Sequence, residues 1–267
     1  FLMFGMQYMI SGAYCLREDG HVRVDVIYNK FSPVVRAGIN ILTSTIFFIF
    51  TLALTATAWN FFARSVPSES VFFGSGYRLE VSFTEWAIPY APMKGAMFLG
   101  GFLLLLQGLA ALVRDGQSLR AGLRSGEGSP RVAWTLVGIA AVIALIVGWE
   151  IVNIALYFPR EAPLTFESTL EDISLGWLTL IMFGSLLVAL MAGLPLAFVT
   201  GGLAVVFLYT MGDQAAIHII PSRIFPQMTN YQLSAIPLFI FMAAVLEKAG
   251  LIEELFDVAY KWMGGLK

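Results

Sequence analysis

The sequence is poor in charge. Only 13% of its 267 residues are Asp, Glu, Lys or Arg, about half the share of an ordinary soluble domain. With 58% hydrophobic residues and a mean hydropathy of +0.78, a chain of this length would expose far too much apolar surface to water, so lipid is its solvent. Cysteine is nearly absent: the single Cys15 excludes an internal disulfide framework and any multi-cysteine metal cluster, and reads as a small apolar filler near a helix end. Two histidines, His21 and His218, are too few and too dispersed for a haem or zinc site. A net charge of −2 without a Lys/Arg-rich run argues against a nucleic-acid partner. The nucleotide loop GxxxxGK[ST], the HExxH helix and the GxSxG elbow are all missing, so nothing points to nucleotide hydrolysis or to those enzyme chemistries.

What the chain does contain is long apolar segments. A spanning helix needs about 20 mainly apolar residues. Residues 37–62, 85–113 and 132–158 meet that length, and residues 1–16 read as the remnant of another such helix. Pro89 and Pro92 place the first turns of 85–113 at the membrane surface. Residues 177–192 and 194–211, parted by Gly193 and Pro195, are either two tight antiparallel spans or one broken element. A further helix begins at 236–246. Beyond Gly250, Leu251, Ile252, Leu255, Phe256, Ala259 and Trp262 share one face and Glu253, Glu254, Asp257 and Lys261 the other, the pattern of an interfacial amphipathic helix. The expected fold is an all-α polytopic membrane bundle of about six to seven membrane helices with interfacial amphipathic helices. There is no initiator methionine and no signal peptide, and the last residues carry no capped helix end, so the chain reads as an internal piece of a longer protein.

Lys and Arg alternate between loops. Arg17, Arg23, Lys30 and Arg36 fall in the first; Arg64 and Arg78 in the second; Arg114, Arg120, Arg124 and Arg131 in the third; Arg160 in the fourth. The positive-inside rule then puts the first and third loops, and the turn at 192–195, in the cytoplasm, provided 177–211 makes two crossings. "DGHVRVDVIY" (19–28) alternates as a strand would, yet no sheet partner is visible; at the cytoplasmic lip it is either an interfacial turn or the start of a surface helix running to Pro33. Glu150, the one acid within a clear span, is either a functional carboxylate or an end-of-helix charge that snorkels to the outer interface. Gly193, Gly201 and Gly202, with Thr200 and Ala204, allow close helix approach. In "LSAIPLF" (233–239), Pro237 marks either an interrupted helix of the kind that exposes backbone to ions or an ordinary first-turn proline.

Taken in order, these segments resemble a known family. "DGHVRVDVIY" resembles the signature of the small membrane subunit of the tripartite ATP-independent periplasmic (TRAP) transporters, and "EWAIPYAPMKGAMFLGGFLLLLQGLA" (85–110) looks like that subunit's last helix, with Pro92, Lys94 and Gln107 in familiar positions. "GLPLAFVTGG" (193–202) and "SAIPLFIFMAAVLEKAGLIEELFDVAYKWMGGL" (234–266) resemble the opening of the large membrane subunit. The resemblance implies a fused permease truncated at both ends: a small-subunit-like scaffold at 1–126 with an incomplete first helix, a joining helix and periplasmic loop at 127–172, and the start of a large-subunit-like domain at 173–267.

It further implies a non-enzymatic, sodium-driven importer of organic acids, carboxylates in particular, that works by an elevator motion. The carrier sits in the cytoplasmic (inner) membrane of a bacterium or archaeon. A periplasmic substrate-binding protein, the lipid bilayer and the remainder of the large subunit are its partners; sodium is the coupling ion, and no cofactor, metal site or catalytic residue is expected. Substrate and ion sites are expected beyond Lys267, in Ser/Gly-rich re-entrant hairpins. The motif residues His21, Arg23, Asp25, Lys94, Gln107, Gly193, Pro195, Ser234 and Pro237 are expected to be structural. The competing reading is a non-transporting membrane anchor or scaffold subunit of a larger complex; an integral-membrane enzyme fits least.

Overall fold

The computed structural model describes residues 2–18, 20–23, 28–66, 80–82, 88–126, 129–157, 173–211 and 214–264. Among them the chain forms nine α-helices: α1 (Leu2–Arg17), α2 (Pro33–Ala63), α3 (Ala91–Ser125), α4 (Pro130–Tyr157), α5 (Leu175–Met191), α6 (Leu196–Met211), α7 (Ile219–Met228), α8 (Ala235–Lys248) and α9 (Leu251–Met263). Short 3-10 turns cover Tyr28–Lys30, Gln214–His218 and Tyr231–Ser234. Pairing of extended backbone is limited, among the described residues, to two isolated bridges. This is a helical membrane bundle, as the composition requires. At 1.5 Å per residue, α2 and α3 are about 46 and 52 Å long, well beyond a hydrocarbon core of about 30 Å.

Helix α2 is the post around which the rest is built: α3, α4, α6 and α7 all pack on it. Its buried Thr43, Thr51, Thr55 and Thr57 return their hydroxyls to the helix's own carbonyls, as Thr51 Oγ1 does to Phe47 O at 2.9 Å and Thr55 Oγ1 to Thr51 O at 2.6 Å, so these four enter the core without a stranded donor. At one end of the bundle Leu54, Ala58, Met93, Met97 and Met228 pack together; at the other, Val34, Ala37, Leu119 and Ala133. Between them Phe47, Leu104 and Phe198 meet. The glycines of α6 work as expected. A β-carbon on Gly201 would stand 2.6 Å from the Phe50 ring, and one on Gly202 would overlap Ile46, so α6 lies directly on α2. Thr200 and Ala204 of α6 are exposed.

Residues 177–211 form two helices rather than one broken element. The turn between α5 and α6 lies at the same end as Arg23 and Tyr28, and α7 lies at the opposite end beside Phe61 and Tyr90. Helix α3 differs from expectation at both ends. It begins at Ala91, and it runs to Ser125 rather than stopping near Val113. The charged stretch after Arg114 stays helical because Leu119 and Leu123 pack on Val34, Ala37 and Ala133. Pro237 is a first-turn proline: the 3-10 turn Tyr231–Ser234 runs directly into α8. Helix α9 is amphipathic, with Glu253 and Glu254 in its first turn and Lys261 in its last, the arrangement the helix dipole favours. Helix α4 carries Glu150, whose side chain lies outside the described residues, as do Asp25 and residues 158–172.

Candidate functional site

The alternating stretch has a partner after all, 172 positions along the chain. Arg23 bridges Pro195 in antiparallel fashion, and the Val22 carbonyl accepts a hydrogen bond from Leu196 N–H at 3.0 Å. Leu196 is the first residue of α6, so its amide has no partner within the helix. The expectation that residues 19–28 form only a turn or a surface helix is therefore corrected at Val22–Arg23. Extended backbone there satisfies an orphaned helix end, a contact too remote in sequence to be seen from local pattern.

Side chains close around this bridge from four directions. Gly193 turns the chain between α5 and α6 with φ of +85°, a conformation natural to glycine, and the Tyr28 ring covers it. Tyr28 donates its hydroxyl to Asn40 Oδ1 at 2.7 Å, and Asn40 Nδ2 donates to Asp115 Oδ1 at 3.0 Å. One polar chain thus links the 3-10 turn, α2 and α3. His21 packs edge-on against Phe198 with ring centroids 4.8 Å apart, and Phe198 against Phe47 at 4.6 Å. Cys15 Sγ, half-buried near the end of α1, lies 3.9 Å from His21 Nδ1.

Burial lowers the His21 pKa below 6.5 and the neighbouring Arg23 guanidinium lowers it further, against a hydrogen bond to the Gly12 backbone. Burial also raises the Tyr28 hydroxyl above 10. In the middle lies a cavity of about 90 Å³, lined among others by Arg23, Asn40, Thr43, Asp115, Gly193 and Phe198. Its lining offers one cation and one carboxylate, a balance suited to joining helices rather than to capturing an ion of one sign.

A second polar junction sits at the far end of the bundle. Lys94 is only 4% exposed and pairs with Glu80, which is 57% exposed. Its ammonium lies 3.9 Å from the centroid of Phe61 and 5.7 Å from that of Phe225, so a buried charge is met by a carboxylate and two aromatic faces. Tyr90 stands edge-on to Phe225 at 5.0 Å. The Glu80 backbone is anchored beside α3: Tyr90 N–H donates to Glu80 O and Ser82 N–H to Ile88 O, each at 2.9 Å.

The structure therefore brings His21, Arg23, Gly193 and Pro195 into one cluster and puts Lys94 in another. Gln107 joins neither. It lies in α3 with its amide nitrogen buried and without a hydrogen-bond partner among the described residues. Ser234 and Pro237 lie at the start of α8, away from both clusters. Sequence reasoning missed Tyr28, Asn40, Asp115, Glu80, Phe61, Phe198 and Phe225. A polar Asn40 inside an apolar span and Asp115 at a span's end were the available signals. No group of three or more His, Cys, Asp or Glu side chains could hold a metal ion among the described residues.

Residues 1–118 match the family model described as "Tripartite ATP-independent periplasmic transporters, DctQ component", and residues 183–267 match the one described as "Tripartite ATP-independent periplasmic transporter, DctM component". No curated protein and no solved structure matches the chain. Both polar clusters cross from the first matched segment to the second: Arg23 to Pro195, and Lys94 to Phe225.

Proposed function

Because the chain belongs to the TRAP transporter permeases, a DctQ-type and a DctM-type part fused in one multi-pass membrane polypeptide, we propose that it forms the fixed scaffold of a sodium-driven importer of organic acids. A periplasmic binding protein delivers a carboxylate to the outer face. A transport domain then carries it across by an elevator motion, with sodium as the coupling ion. The cytoplasmic membrane is its location, and the division into a scaffold at 1–126, a joining segment at 127–172 and a permease part from 173 follows the same reading.

The observation that supports a fixed scaffold is the Arg23–Pro195 bridge with the Tyr28 ring on Gly193. The first turn of the DctM-type part is tied to the DctQ-type part by backbone and by packing together, and the Lys94 cage ties the opposite end. An elevator needs such a body to move against. Helices α5, α8 and α9 have no buried residues, and α8 in particular offers Leu238, Phe239, Ile240 and Phe241, each more than half exposed, as surface for further permease helices.

The test is uptake by the intact gene product, reconstituted in proteoliposomes with its binding protein and offered a panel of labelled carboxylates. The expected result is accumulation that needs both an inward sodium gradient and the binding protein. Accumulation indifferent to sodium would overturn the coupling, and failure with every carboxylate would leave the anchor or scaffold-subunit reading in its place.

A further inference from the structure

Helix α3 carries an exposed stripe that changes character along its length. Leu99, Phe102, Leu106, Leu109 and Val113 are all exposed. At about 100° per residue they lie within a sector about 80° wide, the side turned to lipid. Continuing the same sector past Val113 leads to Arg120 and Arg124, also exposed, about 10 and 16 Å further along the axis. The helix therefore sets two guanidinium groups on its lipid-facing side just beyond the hydrocarbon edge. Side chains of a helix lean toward its N-terminus, which for this end of α3 means back toward the membrane.

The depth of these residues is fixed by a second observation. Leu119 packs with Ala133 of α4, so Arg120 stands level with the start of α4. There Trp134 is 60% exposed, and an exposed tryptophan at a helix end marks the headgroup layer. Arg131, one turn before Trp134, is exposed as well. None of the three arginines takes part in an ion pair among the described residues; Glu127, between them in sequence, lies outside those residues.

We propose that Arg120, Arg124 and Arg131 form a binding surface for the phosphate groups of anionic phospholipid in the cytoplasmic leaflet. Guanidinium groups suit phosphate oxygens, and juxtamembrane cationic clusters gain from an anionic leaflet. The inference needs the chain's seat in a bilayer and does not depend on what it carries.

Native mass spectrometry tests it, on the intact protein released from nanodiscs containing equal shares of phosphatidylglycerol and phosphatidylethanolamine. Retained phosphatidylglycerol should exceed phosphatidylethanolamine. Each of Arg120→Gln, Arg124→Gln and Arg131→Gln should weaken its retention about fivefold, the effect of one cationic side chain near an anionic surface; the triple Gln variant should abolish the preference and the triple Lys variant keep part of it. Arg223→Gln, exposed on α7 at the other end, should leave it unchanged. The proposal falls if the wild type shows no preference, if the Gln variants behave as wild type, or if Arg223→Gln lowers retention equally. It falls too if inorganic phosphate at the lipid's concentration displaces the phosphatidylglycerol, since the surface would then read free anions and not lipid. The single variants keep the test decisive should the triple variant fail to fold.

Discussion

The Tyr28 ring sits where a side chain on residue 193 would have to go: a β-carbon at Gly193 would stand 2.8 Å from Tyr28 Cδ2 and Cγ. The same glycine has a left-handed backbone. Gly193→Ala therefore meets two penalties, a strained φ of about 1–2 kcal/mol and a steric conflict of about 1–3 kcal/mol. We expect a clear fall in the thermal midpoint of the detergent-solubilised protein. Measured on a Tyr28→Ala background, Gly193→Ala should lose the steric share of its cost and keep only the backbone share.

Asn40 is the middle of a three-residue polar chain, and replacing it breaks both of the chain's hydrogen bonds. Asn40→Leu leaves the Tyr28 hydroxyl without its acceptor, at about 1–3 kcal/mol if that group stays out of water, and takes one donor from the Asp115 carboxylate. Tyr28→Phe removes only one donor and should cost about 1 kcal/mol. A double-mutant cycle on these two positions, read by unfolding, should show coupling; strict additivity would mean that the chain is not cooperative.

The Lys94–Glu80 pair is unequal, with the cation buried and the anion largely in water. Removing the cation as Lys94→Met returns Glu80 to solvent and fills the cage with an apolar chain, a change near neutral. Removing the anion as Glu80→Ala strands the ammonium. The expected cost is on the order of 2–3 kcal/mol, short of the full cost of an isolated buried charge because two aromatic faces remain. The thermal midpoint of Glu80→Ala should thus lie below that of Lys94→Met, with the double variant recovering; the reverse order would refute the account.

His21 gives the junction a pH dependence whose sign is fixed. Its folded pKa lies below 6.5, so the folded state prefers the neutral ring. The resulting stability is fully present above pH 6.5 and is lost as pH falls through the lowered folded value. Thermal midpoints measured from pH 8 to pH 5 should fall more steeply for the wild type than for His21→Gln. Parallel curves would show that the ring is not held neutral.

The spans of α1, α2 and α4 were legible because hydrocarbon demands long apolar runs and nothing else in the chain competes with that signal. The end of α3 was not. Arg114, Asp115 and Arg120 look like a loop, and only the packing of Leu119 and Leu123 against α2 and α4 keeps the helix going. The motif residues His21, Arg23, Gly193 and Pro195 could be picked out one by one, but that they are neighbours could not, since their meeting depends on the path of four helices between them. Lys94 was singled out only through the family resemblance; its cage was not legible, because Glu80, Phe61 and Phe225 come from three separate places in the chain.

The role of α2 as a common post has a consequence for how the protein is made. Its α3 and α4 partners follow at once in the sequence, but α6, which rests on Ile46 and Phe50, is synthesised about 150 residues later. Until then that flank of α2 faces lipid tails, which solvate isoleucine and phenylalanine as well as another helix would. The flank can therefore wait without exposing anything aggregation-prone. When α6 enters the membrane it finds a finished groove on its own chain, at a local concentration no separate subunit could match. Fusion in this order delivers one DctQ-type part to each DctM-type part during translation itself.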